Sequence, residues 1–304
     1  MKFTELNLHE NLLKGIAKAG YENCTPVQEQ VLKASLDGQD LYVQSQTGTG
    51  KTAAFGLPTI HLTESKDKYI QTLVLAPTRE LCVQIATELK RYSSMMEDIR
   101  IVAVYGGEDI RKQLKELDRT PHILVATPGR LIDLKERGKV DLSKVKYLVL
   151  DEADEMLNMG FREDLDVILE DVKQEHQTVL FSATMPDGIK RITENYQNNA
   201  VHVKTTYKDT DIPEIEQYYV ELMESNKVDC LSRMIDTYNF KQALVFCRTK
   251  RKVDELSFSL TSRGYAVECL HGDMKQSGRD KVMDMFRNGL VRVLIATDVA
   301  ARGI

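Results

Sequence analysis

Short apolar runs alternate with longer amphipathic stretches along the first two thirds of the chain. The runs are rich in Val, Ile and Leu, as in strands buried on both faces of a sheet. Stretches such as Arg79–Tyr92 lie between them, with apolar residues three and four apart, as in helices packed on one face. This rhythm predicts a parallel, doubly wound α/β sheet. The predicted strands are Leu41–Gln44, Gln71–Ala76, Arg100–Tyr105, His122–Thr127, Val145–Leu150, Thr178–Phe181 and Val201–Val203.

The rhythm stops at Lys204–Pro213, a polar segment without periodicity that we interpret as a linker, and then restarts. Two α/β domains are therefore predicted, residues 1–207 and 208–304. No helix follows the last predicted strand, so we expect the second domain to be incomplete. The second part has predicted strands at Tyr218–Leu222, Ala243–Cys247, Ala266–Leu270 and Val291–Ala296, and predicted helices near Lys227–Tyr238, Val253–Arg263 and Arg279–Phe286.

Composition narrows the class of protein. The chain has 304 residues, of which 42% are hydrophobic and 29% charged, as in a globular protein of about two domains. No apolar run is long enough for a membrane span, and the start lacks the apolar core of a signal peptide. The five cysteines have no metal-ligand spacing, which favours reduced thiols in a cytoplasmic protein. The net charge of −5 means that any nucleic-acid site would have to be a local one.

A phosphate-binding loop is predicted at Ser45–Thr52, between a strand and a helix start. Gly48 and Gly50 permit a positive φ and bring backbone N–H groups towards phosphate oxygens, and the helix N-terminus adds a favourable dipole. Lys51 is placed to reach the β- and γ-phosphates, and the Thr52 hydroxyl to ligate Mg²⁺. The loop alone leaves open an ordinary glycine-rich turn.

A group of carboxylates, Asp151–Asp154, follows the predicted strand Val145–Leu150 directly. Ligands of open parallel sheets bind beyond the carboxyl ends of strands, whereas charge clusters elsewhere are usually solvated helix faces. Asp151 is predicted to organise Mg²⁺, and Glu152 to orient and deprotonate an attacking water. Together with the loop, this predicts a nucleoside-triphosphate hydrolase site. Its catalytic residues are Lys51, Asp151 and Glu152, and its metal ligands are Thr52 and Asp151.

Gln28 is a candidate for reading the base. Its amide offers a donor and an acceptor, which complement the N6 amino group and N7 of adenine. The alternative is that Pro26–Gln28 only begins a helix, with Pro in its first turn.

These segments, in this order, resemble the motifs of the DEAD-box ATP-dependent RNA helicases of bacterial type, and the resemblance covers nearly the whole chain. The family usually has Ala where this chain has Ser45. The resemblance implies two RecA-like domains in tandem. The matching segments are Gly20–Gln28 with Phe3 seventeen residues before it, Ser45–Thr52, Pro77–Leu81, Gly106–Gly107, Thr127–Arg130, Asp151–Asp154, Ser182–Thr184, Leu244–Thr249, His271–Met274 with Gln276 and Arg279, and Ala296–Gly303.

The resemblance implies ATP and Mg²⁺ as cofactors, RNA bound without sequence preference as the partner, and no membrane. The implied ATP-binding residues are Phe3, Gln28, Ser45, Gln46, Thr47, Gly48, Thr49, Gly50, Lys51, Thr52 and Asp298. The implied RNA-binding residues are Pro77, Thr78, Arg79, Gly106, Gly107, Thr127, Pro128, Gly129, Arg130, Arg248, His271, Gly272, Arg279 and Thr297. Ser182 and Thr184 are implied to couple the two sites.

Several of these residues also have a structural interpretation. Phe3 would stack on adenine by resemblance, but a lone N-terminal Phe is otherwise a core anchor. Thr78 and Thr127 follow strands and are candidate helix N-caps, a role compatible with contacts to RNA. Ser182 and Thr184 likewise fit the cap of the next helix.

The predicted function is that of an enzyme that couples ATP binding and hydrolysis to RNA clamping and local duplex unwinding. Two alternatives stay open: a DNA helicase or translocase, and a nucleotide-gated RNA-binding module without catalysis. In the family an Arg-rich motif with arginine fingers follows the segment that ends at Ile304 here. We therefore expect this chain to bind adenine nucleotides but to be catalytically impaired.

Overall fold

The computed structural model describes residues 1–45, 48–172, 175–204 and 215–297. The chain divides into two compact units, Met1–Thr210 (unit 1) and Asp211–Ile304 (unit 2). The predictions for Gln46, Thr47 and Asp298 lie outside the described residues. None of the helices in the described ranges is long and apolar enough to cross a membrane.

Unit 1 contains a parallel sheet, as the alternating pattern predicted. Its strands are β1 (Leu41–Gln44), β2 (Thr72–Leu75), β3 (Ile101–Val104), β4 (Ile123–Ala126), β5 (Tyr147–Leu150), β6 (Gln177–Ser182) and β7 (Val201–Lys204). They lie in the order β3-β4-β2-β5-β6-β1-β7, and every pairing is parallel. The carboxyl ends of all these strands therefore meet at one edge, which we call the carboxyl edge.

The helices of unit 1 cover both faces of this sheet. Successive strand residues point to opposite faces, so Val149 and Leu150 belong to two separate apolar clusters. Phe55 and Ile85 pack in the first cluster, and Ile168 in the second. The helices are α1 (Glu10–Lys18), α2 (Pro26–Leu36), α3 (Lys51–His61), α4 (Arg79–Tyr92), α5 (Ile110–Leu117), α6 (Pro128–Glu136), α7 (Ala153–Asn158), α8 (Arg162–Asp171) and α9 (Asp187–Tyr196).

Unit 2 repeats the α/β arrangement on a smaller scale. Its strands are β8 (Ala243–Cys247), β9 (Val267–Leu270) and β10 (Val293–Thr297), and its helices are α10 (Lys227–Tyr238), α11 (Lys250–Ser262) and α12 (Gln276–Arg287). The strands are parallel and lie in the order β8-β10-β9. The two-domain RecA-like fold class is thus confirmed. Lys250–Lys252 form the exposed first turn of α11, as solvated charges at a helix start should.

The prediction of a strand at Tyr218–Leu222 is wrong, because residues 215–223 form no strand. Tyr218 and Tyr219 are 80% and 87% exposed. An apolar, β-prone run becomes a strand only where a neighbouring edge accepts its backbone hydrogen bonds. No strand in the described residues pairs with it.

Candidate functional site

The predicted phosphate loop leaves β1 at the carboxyl edge and leads into α3. The N–H of Ser45 donates to the carbonyl of Ser182 at the end of the neighbouring β6 (3.3 Å). Gly48 and Gly50 have φ of 81° and 87°, in the left-handed region that glycine adopts without strain. Lys51 is the first residue of α3 and is 8% exposed, and Thr52 follows it half-buried.

Gln28 lies directly against this loop. Its amide oxygen accepts from the N–H of Thr25 (2.9 Å), and its amide nitrogen donates to the carbonyl of Gly50 (3.0 Å). A Cβ atom on Gly50 would lie 2.3 Å from that nitrogen, so a larger residue would displace the amide. The Thr25 hydroxyl donates to the carbonyl of Thr49 (2.9 Å). The start of α2 thus holds the loop through two side chains, and both ends of the Gln28 amide are engaged in the structure.

The predicted carboxylates stand on the opposite side of β6, at the end of β5. Asp151 is 2% exposed, and one of its carboxylate oxygens lies 3.9 Å from Nζ of Lys51. The N–H of Glu152 donates to the same oxygen (3.0 Å), and Glu152 has a φ of 51°. Burial raises the pKa of Asp151, and the Lys51 ammonium offsets only part of this. Burial, followed by the charge of Asp151, also raises the pKa of Glu152.

The last carboxylate of this group connects it to the predicted coupling residues. Asp154 is buried, and one oxygen accepts from both the N–H (2.9 Å) and the hydroxyl (2.8 Å) of Thr184. The Ser182 hydroxyl donates to the carbonyl of Thr184. Neither hydroxyl caps α9, whose N-cap is Pro186. The interpretation of Ser182 and Thr184 as helix caps is therefore wrong. Asp154, to which the sequence assigned no separate role, is the partner of Thr184.

Phe3 is 2% exposed and belongs to the apolar core of unit 1. Its ring packs edge-on against Tyr21 (centroids 6.5 Å apart), and its N–H donates to the carbonyl of Glu22. This placement is that of a core anchor for the N-terminal segment. Stacking on adenine stays an untested prediction.

The predicted RNA-contacting residues of unit 1 follow β2, β3 and β4, which are adjacent strands. Thr78 caps α4 by accepting from the N–H of Leu81 (3.2 Å). Thr127 makes no such cap; its hydroxyl accepts instead from the N–H of Gly106 (3.3 Å). One of the two alternative N-caps is therefore present. Pro77 lies beside Thr78 at the end of β2, and Pro128 and exposed Gly129 begin α6 beyond Thr127.

The two arginines of this group are held by other side chains. The Arg79 guanidinium lies 4.7 Å over the ring of Tyr105. Arg130 donates to the side chain of Gln113 (2.8 Å) and to the carbonyl of Glu108 (3.1 Å). Exposed Gly106 and Gly107 form the loop between them, with Gly107 at a φ of 82°.

Sequence reasoning missed Gln113, which is 3% exposed and central to this group. A signal was present: Gln113 occupies the apolar stripe of α5, between Ile110 and Leu117. A polar residue in a buried stripe needs hydrogen-bond partners, so its presence there indicates a buried polar network.

Four of the described residues predicted in unit 2 lie at the carboxyl ends of its strands, and Arg279 lies on a helix. Exposed Arg248 follows β8, His271 and exposed Gly272 follow β9, and Thr297 ends β10. Arg279 lies half-buried on α12.

His271 is buried, and its Nε2 lies 3.1 Å from a carboxylate oxygen of Asp254. With Cys269 these two residues form a group whose potential metal-ligand atoms all lie within 4.8 Å of one another. The hydrogen bond between His271 and Asp254 accounts for their contact without a metal ion.

The described part of unit 1 therefore brings two predicted groups to one carboxyl edge. The phosphate loop follows β1, the carboxylates follow β5, and Ser182 ends β6. The predicted RNA-contacting residues follow β2, β3 and β4.

Comparison with known proteins accounts for this arrangement. The family model of the DEAD/DEAH box helicases matches residues 25–192, and that of the helicase conserved C-terminal domain matches residues 226–304. The chain is 48% identical over 302 residues to the DEAD-box ATP-dependent RNA helicase CshA of Bacillus cereus, and 49% identical over 304 residues to that of Streptococcus pneumoniae. These alignments cover 99% and 100% of this chain but only 57% and 58% of the relatives' own length.

Similarity to solved structures supports the same family assignment. A DEAD box protein of Methanococcus jannaschii is 40% identical with a TM-score of 0.65, and the match covers all of this chain and 82% of that one. Dbp5 of S. cerevisiae, solved with RNA and ADP BeF3, is 32% identical with a TM-score of 0.88, and the match covers all of this chain and 77% of that one. The chain belongs to the DEAD/DEAH box helicase family.

Proposed function

We propose that unit 1 binds and hydrolyses ATP at the carboxyl edge of β1, β5 and β6. The observation that carries the proposal is the pair of Lys51 and Asp151, whose charged atoms lie 3.9 Å apart although both side chains are buried. Burying two charges costs free energy unless they act on each other or on a ligand. A phosphate group for Lys51 and a cation for Asp151 are the ligands that such a pair suits.

The chain's own residues fit a Mg²⁺–nucleotide complex. The buried carboxylate of Asp151 has a raised pKa, which reports that the folded chain alone stabilises its negative charge poorly. The buried Ser45 hydroxyl has no hydrogen-bond partner among the described residues. Asp151 and the Thr52 hydroxyl would hold Mg²⁺, which neutralises phosphate charge when bound.

Each residue then has a separate task. Lys51 and the loop N–H groups bind the phosphates. Gln28 holds the loop with one N–H and one oxygen lone pair, which leaves its other N–H and its second lone pair for the base. Glu152 orients water and takes its proton; its raised pKa makes it a stronger base than an ordinary Glu. Asp154 passes changes at the carboxylates to Thr184 through two hydrogen bonds.

We propose that RNA binds along the same edge, over the ends of β2, β3 and β4. Backbone turns at Gly106 and Gly107, the Thr127 hydroxyl and two arginines are groups that contact phosphate and sugar. Tyr105 holds the Arg79 guanidinium, and Gln113 and Glu108 hold that of Arg130. We therefore propose that these groups contact phosphate and sugar, without sequence preference. Arg248, His271, Gly272, Arg279 and Thr297 would contribute contacts from unit 2.

The whole protein is then an ATP-dependent RNA helicase that clamps RNA and separates short duplexes, with the cytosol as its location. The solved Dbp5 complex with RNA and ADP BeF3, 32% identical, supports this proposal. Because the chain spans 57% of the length of its Bacillus cereus relative, hydrolysis by the 304 residues alone is a separate question. In the family the motif with arginine fingers follows the segment that these 304 residues span, and such fingers raise turnover about 10³–10⁵-fold in nucleotide hydrolases. We therefore propose that the 304 residues alone bind nucleotide but hydrolyse little of it.

The test is ATP turnover and nucleotide affinity, measured for the 304-residue chain and for a version extended to the length of its relatives. We expect both to bind ATP, and only the extended version to hydrolyse it faster with single-stranded RNA. Stimulation by single-stranded DNA and not by RNA would favour a DNA helicase. RNA binding gated by ATP without turnover in either version would favour a non-catalytic module.

A further inference from the structure

One buried amide organises the proposed RNA-binding loop of unit 1. The Gln113 side chain makes four hydrogen bonds, and each of its amide atoms makes two. Its oxygen accepts from the N–H of Tyr105 (3.3 Å) and from the Arg130 guanidinium (2.8 Å). Its nitrogen donates to the carbonyl of Tyr105 (3.1 Å) and to the Glu108 carboxylate (3.3 Å). A primary amide has two donors and two acceptor lone pairs, so this one is saturated.

The contacts of Gln113 fall at both ends of the loop Tyr105–Glu108. At its start Gln113 binds both backbone groups of Tyr105, whose ring supports the Arg79 guanidinium. At its end Gln113 binds the Glu108 side chain, while Arg130 binds the Glu108 carbonyl. The two glycines between these ends have no side chains to fix their position. Gln113 on α5 and Arg130 on α6 therefore fix the conformation of the loop.

The charge of the group requires an amide at position 113. Burial works to raise the pKa of Glu108, but hydrogen bonds from Gln113 and Tyr105, together with Arg79 and Lys112, leave it below the ordinary value. Glu108 is therefore ionised. A carboxylate in place of the amide nitrogen would stand about 3 Å from it and repel it. An apolar side chain would leave the Tyr105 backbone groups without their buried partners.

We propose that Gln113 is a positioning residue for RNA binding: it holds Gly106 and Gly107 in the conformation that meets the RNA backbone, and it fixes Arg79 and Arg130 beside them. The inference rests on the proposed function, because it names how that RNA site is built. Gln113 is assigned no contact with RNA. It is also assigned no part in binding ATP, because α5 packs against β3 at one edge of the sheet, whereas the phosphate loop follows β1 near the opposite edge.

The test compares Gln113→Glu and Gln113→Leu with Lys115→Gln in the 304-residue chain. Lys115 is exposed on the same helix, and its replacement changes the net charge by the same amount as Gln113→Glu. Affinity for a labelled single-stranded RNA is measured by fluorescence anisotropy with a saturating non-hydrolysable ATP analogue. Nucleotide affinity and Tm are measured for each variant.

We expect both Gln113 variants to bind RNA at least about tenfold more weakly, the size of one lost buried hydrogen bond, with nucleotide affinity unchanged. Lys115→Gln should stay within about twofold of the unaltered chain. Adding Glu108→Gln to Gln113→Glu removes the repulsion and restores a donor, so it should recover part of the RNA affinity. A purely structural role would instead lower Tm and both affinities together.

Two further outcomes separate the inference from the proposed function. If the unaltered chain binds RNA and both Gln113 variants bind it equally well, the positioning role is refuted while the RNA site stands. If the unaltered chain binds RNA neither with nor without bound nucleotide, the proposed function and this inference fail together. Should Gln113→Leu not fold, Glu108→Ala alone removes the acceptor of one of the four bonds, and unchanged RNA affinity in that variant would also refute the role.

Discussion

Each unit has its own sheet. The two sheets have the same three-strand arrangement in common, and the sheet of unit 1 has four further strands. In unit 1 the strands β3, β4 and β2 lie side by side, with the middle one last in sequence; in unit 2 the strands β9, β10 and β8 repeat this pattern. In unit 1 the sheet continues beyond β2 through β5, β6, β1 and β7, whereas the described sheet of unit 2 ends at β8. The phosphate loop and the carboxylates follow β1 and β5, which are two of the further strands of unit 1. The predicted RNA-contacting residues follow the three strands that both units have in common, except Arg279 on α12.

This difference separates the two proposed activities within the fold. A three-strand set with polar residues at its carboxyl edge occurs twice, and it carries the proposed RNA contacts each time. The nucleotide site needs the further strands β5, β6 and β1, which only unit 1 provides among the described residues. We therefore expect the contacts to phosphate and Mg²⁺ to depend on unit 1, and RNA binding to depend on both units.

The units also differ in how well their sheets are covered. All four residues of β2 are buried, whereas its counterpart β8 is half-buried throughout except for Phe246, which is 55% exposed. Apolar burial is the main favourable contribution to stability. The comparison thus predicts a unit 1 that is more stable than unit 2.

The largest expected effect is at the phosphate loop. Lys51→Ala should abolish detectable ATP binding, because the cation that faces the β- and γ-phosphates is lost. Isothermal titration of the 304-residue chain with ATP and Mg²⁺ measures this. The matched control is Lys250→Ala in unit 2, an exposed lysine at the start of α11 that pairs with Asp273. Equal loss in both variants would show that the loss is not specific to the phosphate loop.

Next is the separation of binding from chemistry at Glu152. Glu152→Gln keeps the shape but removes the base, so turnover in the extended version should fall by about 10²–10⁴ while ATP affinity is retained. The raised pKa of Glu152 also fixes a pH dependence: the active, ionised form is lost as pH falls through a pKa above that of an ordinary Glu. Turnover against pH is the measurement. A collapse of ATP affinity in Glu152→Gln would identify a structural or metal-binding role instead.

The stability comparison can be tested with two equivalent leucines. Leu124 on β4 and Leu294 on β10 are both fully buried at the middle of their three-strand sets. Each Leu→Ala change should cost about 2–5 kcal/mol. Leu294→Ala should cost less, because half-buried Leu244 and Glu268 flank it and can relax into the space.

Amide hydrogen exchange resolves the two units separately. Faster exchange is expected in unit 2 of the unaltered chain, and Leu294→Ala should speed it there without weakening ATP binding. Slower exchange in β8 and β10 than in β2 and β4 would reverse the proposed order of stability.

The smallest expected effect concerns base choice. Gln28→Ala should reduce the preference for ATP over GTP by about 1–3 kcal/mol, by analogy with side-chain contacts to bases. Competition of GTP against labelled ATP measures this. Because Gln28 also holds the Gly50 carbonyl, overall nucleotide affinity should fall as well. A fall in affinity with unchanged base preference would leave Gln28 as a support of the loop only.

The sequence predicted the elements whose formation depends on local pattern. Buried strands such as β4 and β5 were found because every residue in them is apolar, and the loop and carboxylates because they directly follow strands. Tyr218–Leu222 failed because a strand also needs a neighbour, which its own pattern does not reveal. The partners of Gln113 and Asp154 were missed for a related reason: they lie 5 to 30 positions away in sequence, so only the fold brings them together.

The most direct test of the account is ATP turnover by the extended version as single-stranded RNA is added, with single-stranded DNA of equal length in parallel. The account predicts slow turnover without nucleic acid, a saturable increase with RNA, little increase with DNA, and no turnover in Lys51→Ala under any condition. Turnover that is independent of RNA, or that persists in Lys51→Ala, would contradict it.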